Sequence, residues 1–456
     1  MRAREPARRQ GASRFDRRRG VSACGVLAVA LGACAHPAPP PERPAKPAVV
    51  RVVAPKPAAS PPSEPPSHDD HDKPLRPSGP GASVYASEDS AKDRAAVPHD
   101  SLRAGILSDA IAVARRQKRP LPKADARLDA AMNDLAHNLR DDDLPALEVV
   151  DFLLTHYGIA EPSPHLLLTR ATAGADREIR EQTVKEIAQV YKTGPIERVG
   201  IGIDRTGDLM YVVVGLQEKH VALAPVPRHL ARGVSTAIEG KLFGTYRDPR
   251  VVVTSPDGKV AEQAASARPA IVSGKVTCAV DGKYQVEVTA EDAMGTSVLA
   301  NFPIYCGVEP PALAPRGAGT RQTRVTAEAA EAAVLALVNR DRAAAGLDAV
   351  TWDAKLADVA RAHSRDMSDH DFVGHVSPRT GTALDRIHKA GLRPELILEN
   401  VGRAYSAEEV ESGFMASPGH RANVVDPKAR RLGVGVVLGK PVTGTTPLYV
   451  TQLLTN

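Results

Sequence analysis

Three short segments near the C-terminus collect the side chains best equipped for chemistry: Phe372-Val-Gly-His375-Val-Ser-Pro378, Leu398-Glu399-Asn400-Val-Gly402 and Ser417-Pro-Gly-His420-Arg421-Ala-Asn423. Each sets a histidine or an acid among turn-forming residues, and such stretches run over the surface, where binding and catalytic groups collect. Neutral imidazole nitrogen and carboxylate oxygen are ligands that zinc or a similar divalent ion accepts. The same groups can exchange protons near neutral pH, with Glu399 the candidate general base. A plainer reading makes Ser417-Pro-Gly-His420 a tight turn whose imidazole holds backbone together, and Asn400 an amide that fixes a loop. A Ser417–His420 nucleophilic pair has no matched orienting acid or oxyanion hole. The separations along the chain are large, so only a fold can bring His375, Glu399 and His420 together.

The elements that must do so begin at Val325. Thr326 caps a helix with Val334, Leu337 and Val338 facing inward, and Gly346 ends it. Asn339-Arg-Asp-Arg342 lies on that helix, followed by Gly346-Leu347. Trp352-Asp353 leads a second helix through Leu356, Ala360, His363 and Met367, with Trp352 and His363 read as core packing. Leu384, Ile387 and Ala390 form a third helix stopped by Gly391. Ser406-Ala-Glu-Glu409 is a capping box for a fourth, which carries Val410, Phe414 and Met415. The strands Leu432-Gly-Val-Gly-Val436 and Leu448–Leu454 close the domain.

These motifs, in this order over residues 325–456, resemble the CAP superfamily (cysteine-rich secretory proteins, antigen 5 and plant pathogenesis-related proteins) in its bacterial SCP-like form. The alternation of helices and short strands predicts a three-layer α-β-α sandwich, which is also the fold the resemblance implies. His375, Glu399 and His420 match the family's pocket residues one by one, as ligands for a metal such as zinc or for an organic molecule. In many relatives a second glutamate completes a tetrad shortly after an aromatic residue on the fourth helix. Here Phe414 stands where that aromatic is usually tryptophan, Ser417 occupies the acid's approximate place, and Glu411 is the nearest acid. Ser417 and Glu411 therefore join the candidate pocket.

The remainder of the 456 residues exceeds what one core supports and predicts an α+β multidomain chain. Residues 1–34 read as an export signal: an arginine-rich start, then the apolar run Val21–Ala33, too short to span a bilayer permanently. Leu31-Gly-Ala-Cys34 resembles the lipobox of bacterial lipoproteins, which makes Cys34 the lipidated first residue of the mature chain. Residues 35–100 are rich in Pro, Ala, Ser and Lys without apolar periodicity, as expected of a disordered tether. Within it, His68-Asp-Asp-His-Asp72 reads as a solvated charge run. Residues 101–235 pattern as four helical segments closed by two strands, Val199–Ile203 and Met210–Leu216. That order repeats the C-terminal one, so this α/β module is read as a diverged CAP-like repeat without the histidine and glutamate segments. His156 and His165 are read as structural there. Residues 245–310 read as a small antiparallel β-sandwich, with Asp281-Gly282 as a two-residue hairpin turn. Cys278 and Cys306 fall on its strands, and in an exported protein they should pair. Residues 311–324 are a Pro/Gly linker.

The net charge of +5 is small and concentrated before residue 20, and aromatic residues are only 4%. That excludes a nucleic-acid partner by both the charge and the stacking criteria. The expected protein sits in the bacterial cell envelope on a lipid anchor and binds a lipid, small amphiphile or envelope component through the His/Glu pocket. The alternatives are a metal-dependent, peptidase-like hydrolase using the same three residues, and a structural or adhesion protein with a vestigial pocket.

Overall fold

A computed structural model describes residues 49–53, 74–87, 100–139, 145–263, 268–315, 325–440 and 446–456, all within one compact unit, Pro40–Asn456. The N-terminal third contains β1 (Val49–Val53), β2 (Val84–Tyr85), α1 (Ser101–Arg116), β3 (Lys123–Ala124), α2 (Ala126–Asn138), α3 (Leu147–His156), β4 (His165–Thr172), α4 (Asp176–Thr193), β5 (Arg198–Thr206) and β6 (Leu209–Gln217). Asp100 and Asp125 start α1 and α2 by accepting hydrogen bonds from otherwise unsatisfied backbone amides of the first turn. The sheet runs β1-β4-β6-β5-β3. Leu102, Ile106, Ile187 and Tyr191 of α1 and α4 cover one face, meeting Val199, Val212 and Val214. Leu128, Met132 and Leu153 of α2 and α3 cover the other, meeting Leu166, Leu168 and Val213.

Part of the expected tether joins this body. β1 lies parallel along β4, and Leu75 and Tyr85 are buried. Tyr85 stacks on Phe302, with centroids 4.7 Å apart. The Pro-rich composition hides two local exceptions: Val49-Val-Arg-Val-Val53 is a β-branched run suited to a strand, and Tyr85 is a large apolar group with a slot to fill.

The middle third contains β7 (Val221–Leu223), β8 (Val226–Pro227), β9 (His229–Leu230), β10 (Ser235–Leu242), β11 (Arg247–Thr254), β12 (Val260–Gln263), β13 (Ile271–Thr277), β14 (Gly282–Asp292) and β15 (Gly295–Cys306). Two sheets, β13-β10-β7 and β12-β11-β14-β15-β9, enclose one core of Ile238, Val272, Val251, Val286, Phe302 and Ile304. The sandwich starts at β7, ahead of residue 245. Asp281-Gly282 does not close a hairpin: β13 pairs with β10, while β14 pairs with β11 and β15. The turn carries the chain from one sheet to the other, a choice set by which side each strand's apolar residues bury. Cys278 and Cys306 are joined by a disulfide, their Cα atoms 5.4 Å apart.

The last third contains α5 (Ala327–Ala344), β16 (Thr351–Trp352), α6 (Ala354–Asp369), α7 (Ala383–Lys389), β17 (Ile397–Ala404), α8 (Ala407–Ala416), α9 (Pro418–Val424), β18 (Arg431–Leu438) and β19 (Leu448–Thr455). Thr326, Asp353, Thr382 and Ser406 cap α5 to α8. The sheet runs β16-β18-β19-β17. Val334, Val338, Val410 and Phe414 of α5 and α8 pack on the face that carries Leu432, Val434 and Val436. Leu356, Ala360 and Ile387 of α6 and α7 pack on the opposite face around Leu453. Gly433 and Gly435 let α6 lie directly on β18: a Cβ at either would come within 2.3 Å of Ala357 N or 2.1 Å of Arg361 N. Trp352 is not core. It is 38% exposed on the edge strand β16, its ring faced by the Arg361 guanidinium at 5.9 Å.

The first and last thirds share one arrangement. β3 runs parallel to β5, β5 antiparallel to β6 and β6 antiparallel to β4; β16, β18, β19 and β17 repeat those pairings. Gly200 and Gly202 lie against Leu128 and Met132 of α2 as Gly433 and Gly435 lie against α6.

Candidate functional site

His375 stands in the loop between α6 and α7, and that loop is held from two sides. His363, fully buried, bonds the Gly374 carbonyl through Nε2 at 2.9 Å. Burial pushes its ring down to about 4, so it is neutral and structural, as its place in the helix pattern predicts. From the sandwich, Met294 at the tip of the β14–β15 hairpin is buried among Met367, Phe372, Val373, Val401 and Tyr449. Its carbonyl accepts the Val376 amide at 2.9 Å.

Glu399 projects from β17, opposite Leu453, and both of its oxygens are engaged. His375 Nδ1 lies 3.0 Å from Oε1, and Arg386 of α7 donates from Nη2 to Oε2 at 2.5 Å. Burial opposes ionisation, but the His375 hydrogen bond and the Arg386 charge outweigh it and hold this carboxyl below its usual range. A carboxylate so held is a poor proton acceptor. Its effect is to orient His375, whose Nδ1–H it accepts, leaving Nε2 as the ring's second polar atom.

His420 comes from α9, which begins with Pro418 at its first position after Ser417. Its ring centroid is 6.3 Å from that of His375 and 5.1 Å from Phe414. Asn400, fully buried, ties the strand to α9: it donates to the His420 carbonyl at 3.2 Å and to Gln452 Oε1 at 2.9 Å, and accepts from Asn423 at 2.8 Å. Gln452 passes the network on to Glu411 Oε2 at 2.6 Å. Burial pushes the Glu411 carboxyl up to about 7, against that hydrogen bond. Glu411 does not line the cavity with the histidines; it packs behind β19, so its nearness along the chain to the expected fourth acid is not nearness in space.

Ser417 does reach the cavity, and its hydroxyl donates to Glu287 Oε2 at 2.5 Å. Glu287 is a fully buried residue of β14, and its other oxygen accepts the Gly419 amide at 3.2 Å. An acid from the sandwich thus contacts the segment where the resemblance led one to expect an acid of the domain itself. No sequence signal marks Glu287: it alternates with Val286 and Val288 and reads as solvent-facing. Arg386, on the polar side of α7, is equally unmarked.

The cavity these groups share measures about 850 Å³ and is walled by all three thirds of the chain, His165 and His220 included. Burial pushes His165 down to about 3. Both Glu399 oxygens are committed to His375 and Arg386, and among the described residues no three His, Cys, Asp or Glu side chains converge as a metal site.

A sheet flanked by helices on both faces, with two histidines and an acid gathered at one edge over a cavity, defines an α-β-α pocket domain. The sequence profile of the cysteine-rich secretory protein family (CAP) matches residues 335–454. The chain is 32% identical over 150 residues to the Bacillus subtilis protein YkwD, covering 33% of this chain and 58% of YkwD. It is 33% identical over 107 residues to the B. subtilis membrane protein YlbC, covering 23% of this chain and 31% of YlbC. An extracellular SCP-domain protein of Bacillus anthracis aligns in structure at 19% identity and TM-score 0.28, over 59% of this chain and 70% of that one. A cysteine-rich secretory protein of Staphylococcus aureus aligns at 14% and 0.24, over 59% and 91%. Residues 335–454 are thus similar to the CAP family, and the chain spans 58% of one curated relative and 31% of the other.

Proposed function

We propose that the protein is an exported binding protein of the cell envelope whose CAP domain holds a small amphiphile in the three-walled cavity. The cavity carries this reading. Its volume is that of a small-molecule site, with Val298, Leu299, Ile397 and Val401 along the wall and His375, Glu399 and His420 gathered within it. The first third of the chain serves as a diverged CAP-like repeat that has become scaffold. In its sheet Leu166 takes the place Glu399 holds in the other, since each faces the strand residue that faces the first glycine of the Gly-x-Gly pair. A hydrolase using Glu399 as its general base would need that carboxylate free, and both of its oxygens are engaged, by His375 and Arg386.

The test is a calorimetric titration of the whole chain with dodecyl maltoside below its micelle concentration. Saturable binding that weakens in a His375→Ala, His420→Ala double variant is expected. No saturable heat from a chain with native circular dichroism sinks the reading.

The anchor belongs to the same proposal. Cys34 and the whole 1–34 segment lie outside the described residues; among the described ones no helix is long and apolar enough to cross a membrane. Acylation at Cys34 would hold the protein on the bilayer through its lipid chains, each buried methylene contributing about 0.8 kcal/mol. Cys34→Ser should abolish incorporation of labelled fatty acid, whereas Cys24→Ser should not. Wild-type protein that takes up no label rules the anchor out.

A further inference from the structure

A second cavity, of about 750 Å³, adjoins the first, and Pro162, Ser163, Val298 and Ser417 line both. The two lie end to end along β14. Its residues Tyr284, Val286, Val288 and Ala290 face the sandwich core, so the alternate set faces outward. Of that set, Lys283 and Gln285 line the second cavity, and Glu287, Thr289 and Glu291 line the first. From Lys283 to Glu291 the strand extends about 27 Å at about 3.4 Å per residue. A β-bulge on β15 shapes the boundary: Val288 pairs with Ala300, but Thr289 with Val298. Leu299, the extra residue, sinks with Ala300 into the sandwich core, and Val298 turns out between the cavities.

Beyond this floor the second cavity is walled by apolar groups: Phe152 and Leu154 of α3, Val410 and Phe414 of α8, and Val308 and Leu313. Val308 and Leu313 are 39% and 37% exposed, large apolar groups left in water at its rim. The buried charges on its wall are occupied: Asp151 by Ser163, Glu161 by Arg198, Glu409 by the Tyr405 amide and Arg403 by Asp371. Glu148 holds Ser412, and Lys283 and Glu309 are exposed. Gly413 keeps the space open. It sits inside α8, where glycine weakens a helix, yet beyond that helix a Cβ there would meet only Leu147 Cδ2, at 3.5 Å.

We propose that the amphiphile's tail leaves the histidine cavity past Val298 and Ser417 and lies in this second cavity. The proposal rests on the amphiphile reading above and adds the ligand's length: one long alkyl chain, its head at His375 and His420. Such a tail covers Val308 and Leu313 and fills the space that Gly413 leaves. Selection among tails then belongs to α3, α8 and the sandwich, while the histidines hold the head.

The experiment titrates octyl, dodecyl and tetradecyl maltoside, each below its micelle concentration, into the full chain by calorimetry. Affinity should rise by up to about fourfold per added methylene, through to tetradecyl. Gly413→Leu fills the second cavity from a helix that favours leucine over glycine. Leu313→Asp instead places a charge on its exposed rim. Each variant should weaken tetradecyl maltoside at least about tenfold and octyl maltoside less than about twofold, with native circular dichroism. An affinity that stops rising at octyl overturns the second cavity's role. So does wild-type tetradecyl binding in both variants, or an equal loss at both tail lengths; all three leave the amphiphile reading in place. Saturable binding of none of the three maltosides overturns both.

Discussion

Glu399 and Glu411 are two buried glutamates of one domain with opposite fates. Glu399 has a guanidinium and an imidazole within hydrogen-bond reach and stays ionised; Glu411 has one amide, and its Oε1 has no hydrogen-bond partner among the described residues. The folded state therefore binds a proton at Glu411 more tightly than the unfolded chain does. Its contribution is present below the unfolded value of 4.5 and lost as pH rises through about 7. Glu409, raised to about 7, and Asp151, raised to about 6, carry the same sign. Glu411→Gln should leave stability unchanged near about pH 4 and raise it near about pH 8 by on the order of 3 kcal/mol. Urea unfolding at both pH values checks this; a variant weaker at the higher pH would show that the carboxylate, and not its burial cost, is what the fold uses. Glu399 has the reverse sign, contributing above its unfolded value and lost as pH falls through the folded one.

Two contacts between elements decide whether the pocket exists. The first is the seat of α6 on β18. At Gly435 a Cβ meets backbone, which cannot swing aside as a side chain would. Gly435→Ala should cost about 3 kcal/mol or more by forcing α6 off the sheet, and Gly202→Ala should do the same to α2 in the first third. Thermal unfolding of both variants tests the shared architecture: a neutral Gly202→Ala beside a damaging Gly435→Ala would mean the two seats differ. The second contact is the hairpin tip. Met294→Ala removes a buried side chain from a cluster built otherwise of the last third, at about 2–5 kcal/mol. It should also speed hydrogen exchange at the Val376 amide, whose acceptor is the Met294 carbonyl. Exchange there as slow as in the wild type would mean the His375 loop needs no help from the sandwich.

Across the whole molecule, the sandwich is more than a spacer because the cavity has no far wall without it. The disulfide Cys278–Cys306 spans 28 residues, and by the chain-entropy relation it stabilises by about 3.5 kcal/mol. Reduction, or Cys278→Ala with Cys306→Ala, should lower the stability of the sandwich by that order. It should also weaken ligand binding at His375 and His420, residues some seventy or more positions further along the chain. Calorimetry under reducing conditions reads both. Unchanged ligand affinity in reduced, folded protein would detach the pocket from the sandwich.

Local patterns in the sequence determined what is decided locally. The caps at Thr326, Asp353 and Ser406, the helix stop at Gly391 and the helical and strand periods each involve residues within a few positions of one another, where backbone satisfaction and one apolar face suffice. The grouping of His375, Glu399 and His420 was legible only because ordered motifs resemble a known family. What tertiary structure alone decided lies in long-range pairings. It chose the sheet each strand joins at Asp281-Gly282, and it left Trp352 on an edge although it is the chain's only tryptophan. It placed Glu411 behind the sheet and brought Glu287 from another part of the chain to Ser417. It also bound both Glu399 oxygens, one of them with Arg386. A charged residue on the outer face of a strand or helix looks solvated in sequence; whether another body of the same chain comes to cover it depends on packing between distant segments, which no local pattern encodes.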